Sequence, residues 1–304
     1  MPGTKRVLQT IEAHWSRHTV IGRRYVLDSL LGRGGHGEVW RAEDLAQPGT
    51  YVALKRLLQN TVSEESQRRL RAEMTALHRL GHHNHIVTLR NYGEEHGQLY
   101  LVLDYVPGQT LDNILGNWRQ GQGAARPPLD SVRYVMECLC LALHHVHVHG
   151  IVHRDVKPGN VLVSVEDKSL RIRLCDFGIA RCSSTSLTQP GERLGTDDYM
   201  SPEQATGAWS QLGPASDLFS LAVLAIELLT LRATSPLGTP FANFVVNHWN
   251  QVPGYLYHQN PALPAKLVSL LVLSLSPRIE ARPRSALDML QELRLALSTG
   301  EHFV

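Results

Sequence analysis

The chain of 304 residues is poor in cysteine, with only Cys138, Cys140, Cys175 and Cys182, none spaced as Cys-x-x-Cys. So sparse a set offers no disulfide framework and no zinc-ribbon pattern, and it implies a reducing, cytoplasmic setting. Long apolar runs are also missing. The stretches 218–231 and 267–275 fall short of the ~20 residues that span a bilayer, and Glu227 interrupts the first. The N-terminus carries Lys5, Arg6 and Glu12 without an apolar core, so no secretory signal is expected. Neither sign of charge is in excess: 30 Lys+Arg against 28 Asp+Glu leave a net +2, which gives no reason to expect nucleic acid or an anionic membrane as partner. Repeats and low-complexity segments are absent. What is present, 43% hydrophobic and 19% charged residues, is enough to bury a core and excludes global disorder. The length allows roughly two domains or one large two-part domain.

The texture changes along the chain. Residues 1–24 read as an extension. Tyr25-Val26-Leu27 and Tyr51-Val52-Ala53-Leu54 are β-prone runs separated by glycines, and strand signals return at Ile86–Leu89 and Leu99–Leu103. Between them, Leu70, Met74, Leu77 and Leu80 recur at helical spacing and predict a helix over 62–80. After Pro107-Gly108 helical periodicity dominates, with a long helix over 129–149. One hairpin interrupts it: Val161–Val163, a polar turn at Glu166-Asp167-Lys168, then Leu170, Ile172 and Leu174 alternating with Arg171 and Arg173. The picture is a β-rich first third joined to a helical remainder.

Three constellations bear chemistry. Gly32-Arg33-Gly34-Gly35-His36-Gly37 places glycines where a backbone turn can approach phosphates. A lone G-x-G-x-x-G is weak evidence, and an ordinary flexible hairpin remains open. Here, however, a strand residue, Val39, follows the glycines, and Lys55 closes the next strand, which suits a phosphate lid better than a dinucleotide fold. His153-Arg154-Asp155-Val156-Lys157-Pro158-Gly159-Asn160 sets an aspartate and an asparagine five apart in a loop with a lysine between. A carboxylate can orient or deprotonate a hydroxyl, an amide oxygen can ligate a hard cation, and the lysine can neutralise phosphoryl charge. Asp176-Phe177-Gly178 follows the alternating strand and offers a carboxylate for Mg²⁺. Either of the last two alone reads equally well as a polar turn.

Together, in this order, and with Ser201-Pro202-Glu203 downstream, they resemble the protein-kinase family over roughly 25–297. The resemblance implies an α+β, bilobal protein-kinase fold: a small β-rich N-lobe with one main helix (25–104), a hinge (104–107) and a larger helical C-lobe (108–298), followed by a tail (299–304). It implies that Lys55, paired with Glu73, holds the α- and β-phosphates of ATP, that Asp155 accepts the substrate proton, that Lys157 touches the γ-phosphate, and that Asn160 and Asp176 hold Mg²⁺, or Mn²⁺ in its place. Leu31, Gly32, Gly34, Gly35, Gly37, Val39, Ala53 and Leu162 would surround the nucleotide. Leu103 is similar to the gatekeeper, and Asp104, Tyr105 and Val106 to the hinge. Asp217 would accept hydrogen bonds from the catalytic-loop backbone, and Arg282 would pair with Glu203.

Lys157, with Gly195-Thr196 ahead of Tyr199, resembles the serine/threonine branch, and the wording of these motifs is most like the bacterial kinases of eukaryotic type. Protein substrates, with transient self-association for autophosphorylation, are what this implies. Arg154 would meet a phosphate on the 176–203 segment, with Thr188 the candidate acceptor and Thr196 at substrate docking. A catalytically weak binding scaffold and a small-molecule kinase are the competing readings. All of Lys55, Asp155 and Asp176 are retained, against the first. Small-molecule kinases lack the Ser201-Pro202-Glu203 segment, against the second. Ala222 in place of a common glycine, and His82-His83-Asn84-His85 without the usual proline, depart from the family pattern without touching ATP chemistry. Those histidines and His144, His145, His147 and His149 have no cysteine or carboxylate set at zinc spacing and are read as structural or solvated in preference to a metal site.

Overall fold

A computed structural model of the chain describes residues 15–34, 37–57, 64–121, 126–177 and 197–298. The chain divides into two compact units, Met1–Val62 with Leu89–Tyr105, and Ser63–Thr88 with Val106–Val304.

The first unit is an antiparallel sheet of β1 (Val20–Ile21), β2 (Tyr25–Gly34), β3 (Gly37–Asp44), β4 (Tyr51–Leu57), β5 (Leu89–Glu95) and β6 (Gln98–Asp104), in the order β1-β2-β3-β4-β6-β5. Successive strand residues alternate between faces. Leu27, Trp40, Ala42, Val52, Leu54, Tyr100 and Val102 thus form one buried face, closed by Trp15, Ile21 and Tyr25. Residues 15–24, which the sequence presents as an extension, contribute Trp15 and a strand to this core. A two-residue strand has too little periodicity to be legible beforehand. The sequence signal at Ile86–Leu89 splits: Ile86 makes a single parallel bridge to Leu174, and β5 starts at Leu89.

The second unit begins with α1 (Glu64–Arg79). The chain leaving this helix is tied into the unit: the Val87 amide donates to the Leu174 carbonyl and the Leu174 amide to His85, both at 2.9 Å. There follow β7 (Gln109–Thr110), α2 (Leu111–Arg119) and α3 (Leu129–Val148), then the hairpin β8 (Val161–Glu166) and β9 (Ser169–Leu174). Its turn residues, Asp167 and Lys168, have φ of 49° and 63°, the mirror-image turn that matches strand twist. The close approach of β7 to β8 requires Gly108, where a Cβ would lie 2.2 Å from the Val163 carbonyl oxygen. The remainder is α4 (Pro202–Ala205), α5 (Pro214–Thr230), α6 (Phe241–His248), α7 (Val252–Gln259), α8 (Ala265–Ser274) and α9 (Ala286–Leu297). Every residue of α5 from Ser216 to Thr230 is buried, as expected of a helix that is apolar all round. Cys138 and Cys140 are free and buried in α3, and burial pushes their thiols up to about 11 and about 12, away from thiolate chemistry.

Two polar clusters hold this unit together. Arg282 forms a two-pronged pair with Glu203, at 2.7 and 2.9 Å, and also donates to the carbonyls of Ser276 (2.9 Å) and Ala215 (3.1 Å). Burial pushes the Glu203 carboxyl up, but hydrogen bonds from Arg282 and Ser216 outweigh it and hold the group below the usual carboxylate range. In the second cluster His83 stacks on His145 with ring centroids 4.7 Å apart and meets His85 at 5.7 Å. His145 donates from Nε2 to the Leu80 carbonyl at 3.0 Å, and His85 from Nδ1 to that of Ile172 at 3.1 Å. These contacts are ring stacking and hydrogen bonds to backbone carbonyls.

Arg282→Leu leaves the Glu203 charge buried and unpaired, and should cost about 3–5 kcal/mol in urea unfolding. The double variant with Glu203→Met should lose less than the sum of the two single changes. Burial, with repulsion from His145, His85, His82 and His144, lowers His83 to about 4. The native state then binds fewer protons than the unfolded chain between about pH 6.5 and 4, so stability is complete above that window and falls as pH drops through it. Allowing for the ring's partial exposure, the loss at pH 4 should be about 1 kcal/mol greater than in a His83→Asn variant measured alongside.

Candidate active site

The expected residues fall in both units. In the first, directly paired strand residues share a face. Val39 pairs with Lys55 and Lys55 with Leu101, while Arg41 pairs with Ala53 and Ala53 with Leu103. Val39, Ala53, Lys55 and Leu103 therefore gather on the face opposite the Trp40 and Leu54 core. Gly32 pairs with Val39 and Gly34 with Gly37 at the end of the β2–β3 ladder. Gly37 has φ of 135°, and a Cβ there would sit 1.9 Å from the Arg56 carbonyl oxygen, so only glycine fits. Leu31 is exposed, and Gly35 lies outside the described residues. Asp104 pairs with Arg90, and the Tyr105 ring faces Tyr51 and Arg41.

In the second unit the loop between α3 and β8 brings Asp155, Lys157 and Asn160 together. The Asn160 amide nitrogen donates to the Asp155 carbonyl at 2.7 Å and to its carboxylate at 2.9 Å, and the Lys157 ammonium lies 3.0 Å from that carboxylate. The five-residue spacing is closed by a tight turn at Pro158–Asn160. With its nitrogen committed to Asp155, Asn160 presents its amide oxygen as a hard donor. The two backbone segments are joined next to Asp176: the Cys175 amide donates to the Asn160 carbonyl at 2.8 Å. One amide oxygen and one carboxylate are a donor set that fits Mg²⁺ completed by phosphate oxygens and water. Leu162 and Val106 are half-buried, Leu162 opposite Thr110 and Arg173 in its sheet. Glu73 lies within α1, its side chain outside the described residues, as are Thr188 and Thr196.

Arg154 and Asp176 adopt φ of 67° and 57°, a region that side chains other than glycine disfavour and that clusters at functional sites. Both are held from outside. Asp217, buried at the start of α5, accepts from the amides of His153 and Arg154 and from Nε2 of His147, each at 2.8 Å. His153 donates from Nε2 to the Cys175 carbonyl at 3.0 Å, and its ring lies 4.7 Å from that of Phe177. Burial lowers the His153 pKa and favours the neutral ring this geometry uses. The expected part of Asp217 is thus seen. The bracing of Cys175 by His153 has no local signal, because its partner is 22 residues away.

This arrangement has known counterparts. The protein kinase domain family matches residues 25–271. A probable serine/threonine-protein kinase PknB of Lactococcus lactis is 31% identical over 92% of this chain and 43% of its own length. The serine/threonine-protein kinase pkn3 of Myxococcus xanthus is 33% identical over 90% and 50%. This chain therefore spans about half or less of the length of these curated relatives. The crystal structure of the Mycobacterium tuberculosis PknI kinase domain superposes with a TM-score of 0.70 at 27% identity, over 93% of this chain and 100% of that one. By family match, relatives and fold, the chain belongs to the protein kinase family, with bacterial serine/threonine kinases of eukaryotic type among its relatives.

Proposed function

We propose that this chain transfers the γ-phosphoryl group of ATP to serine or threonine hydroxyls of proteins, its own 176–203 segment included. The observation that supports this most is the loop in which Asp155, Lys157 and Asn160 converge under the Asp217 carboxylate. In this reading Asp155, turned by the Asn160 amide, orients the attacking hydroxyl and takes its proton. Lys157 lies beside it and offsets charge that grows on the transferred group. Lys55, seconded by Glu73, steadies the α- and β-phosphates, and the Asp104–Val106 backbone meets the adenine edge. Asn160 and Asp176 would hold Mg²⁺, which bridges phosphate oxygens and neutralises their charge. Little covalent chemistry is asked of the protein, so positioning and electrostatics do the work. The proposed domain takes in residues 15–24 as well as 25–298, since Trp15 belongs to the core of the first unit. Regulation by phosphate on Thr188, read by Arg154, belongs to the same proposal, and the added charge of about −2 suits a guanidinium partner.

Incubation with labelled ATP and Mg²⁺, followed by phosphosite mapping, tests the activity directly. Asp155→Asn and Lys55→Met should each reduce transfer by at least ~10²-fold with unchanged circular dichroism, and near-native turnover in either would remove that residue from its role. Mapping should place phosphate within 183–188. Thr188→Ala should slow turnover more than any single serine change in that segment, and fully active enzyme unmodified there would leave Arg154 with a structural part only.

A further inference from the structure

We infer that Gln204 is a positioning residue for the catalytic loop, fixing the peptide plane that precedes Asp155. The inference rests on the kinase reading for its consequence in turnover. Its geometry stands within the second unit alone.

Gln204 is the third residue of α4. Its Oε1 accepts from the Ser201 amide and from the Ser201 hydroxyl, both at 3.1 Å, the acceptor half of a Ser-x-x-Gln capping box. With the oxygen so engaged, the amide nitrogen points the other way and donates to the Arg154 carbonyl at 2.9 Å, 50 residues distant in the chain. Two donors on one atom and an acceptor on the other leave a single consistent orientation of the amide.

The Arg154 carbonyl shares a rigid plane with the Asp155 amide. That amide donates to His153 Nδ1 at 3.3 Å. The plane is therefore gripped at both ends, by Gln204 on its oxygen and by His153 on its nitrogen. The plane before it is gripped as well, since the Arg154 amide donates to Asp217 at 2.8 Å. Arg154, at φ 67°, sits between the two planes in a conformation that persists only when its surroundings hold it. Freeing the Arg154 carbonyl lets that residue relax, and the displacement appears first at the Cα of Asp155.

The other end of Gln204 is attached to the segment that leads into α4. Tyr199, in the turn Asp197–Tyr199, donates its hydroxyl to Glu227 of α5, a wholly buried carboxylate that Arg119 of α2 also engages. Gln204 thus joins a segment anchored on α5 to the backbone beside the proposed base. A substrate docked along that segment would be referenced to Asp155 through one amide group.

Gln204→Glu separates the two halves of this role. Glutamate still accepts from Ser201, because Ser-x-x-Glu is itself a capping box, but it has no N–H to give Arg154. Gln204→Met removes both halves without adding charge. With a synthetic Ser/Thr peptide and ATP, both variants should show kcat lowered about tenfold with KM for ATP unchanged, and Gln204→Glu should keep the wild-type melting temperature. Amide exchange of the peptide 151–160 should accelerate in both variants, with the helices of the unit unaffected. Wild-type kcat and exchange in Gln204→Glu would reduce Gln204 to a helix cap and overturn the inference. A loss in Glu but not in Met would assign the effect to carboxylate repulsion and overturn it equally. Should the wild-type protein transfer no phosphate at all, the kinase reading fails, and exchange in the 151–160 peptide alone decides the positioning role.

Discussion

The carboxylate of Asp217 is the fixed point of the larger unit. A carboxylate removed from water is costly unless its lone pairs are taken up. Here three donors take them up: the His147 ring, and the amides of His153 and Arg154. Two of the three belong to the backbone of the loop between α3 and β8, so the burial of one side chain determines the path of the main chain. Asp217 in turn is fixed because α5 around it is buried on every side. The left-handed backbone at Arg154 follows from that commitment, and the next peptide plane, held by Gln204 and His153, sets Asp155. Lys157 and Asn160 act at the following level, turning the carboxylate of Asp155 once its backbone is set.

The first unit has a different logic. The residues expected at the site there are placed by alternation along strands. Val52 and Leu54 point into the core, so Ala53 and Lys55 must point away from it, and ladder pairing brings Val39 and Leu103 to the same face. A one-residue slip would exchange the two faces, and the large apolar side chains of the core forbid it. Gly37 adds a local restraint at the end of the ladder, where the Arg56 carbonyl leaves no room for a side chain.

Much of this was legible in the sequence because it is local or periodic. The β8–β9 hairpin shows in Leu170, Ile172 and Leu174, α3 in its apolar period, and the loop chemistry in residues that lie within five of one another. The strand carrying Lys55 was visible for the same reason. What escaped has long reach or little length. Trp15 reads only as the end of a short apolar period with Val7 and Ile11, β1 is too short to show a pattern, and both belong to the core alongside β2. The apolar run 86–89 reads as one strand, yet the chain changes partners within it, because Ile86 follows β9 and Leu89 follows β6. The Ser-x-x-Gln spacing at 201–204 signals a cap, but nothing in it reveals that the spare N–H of Gln204 meets a carbonyl 50 residues earlier. Resemblance to a family supplied Asp217 and Arg282 where periodicity could not.

The pairing of Glu203 with Arg282 spans 79 residues, and α9, which follows, packs on α3. During synthesis the ribosome therefore delivers Glu203, the apolar rod of α5 and the loop between α3 and β8 well before the Arg282 guanidinium and α9 exist. At about 5–20 residues per second, that interval lasts several seconds. Throughout it the larger unit lacks both the guanidinium that pairs with Glu203 and the helix that packs on α3. The same long-range pair that locks the finished unit makes its assembly late and all at once.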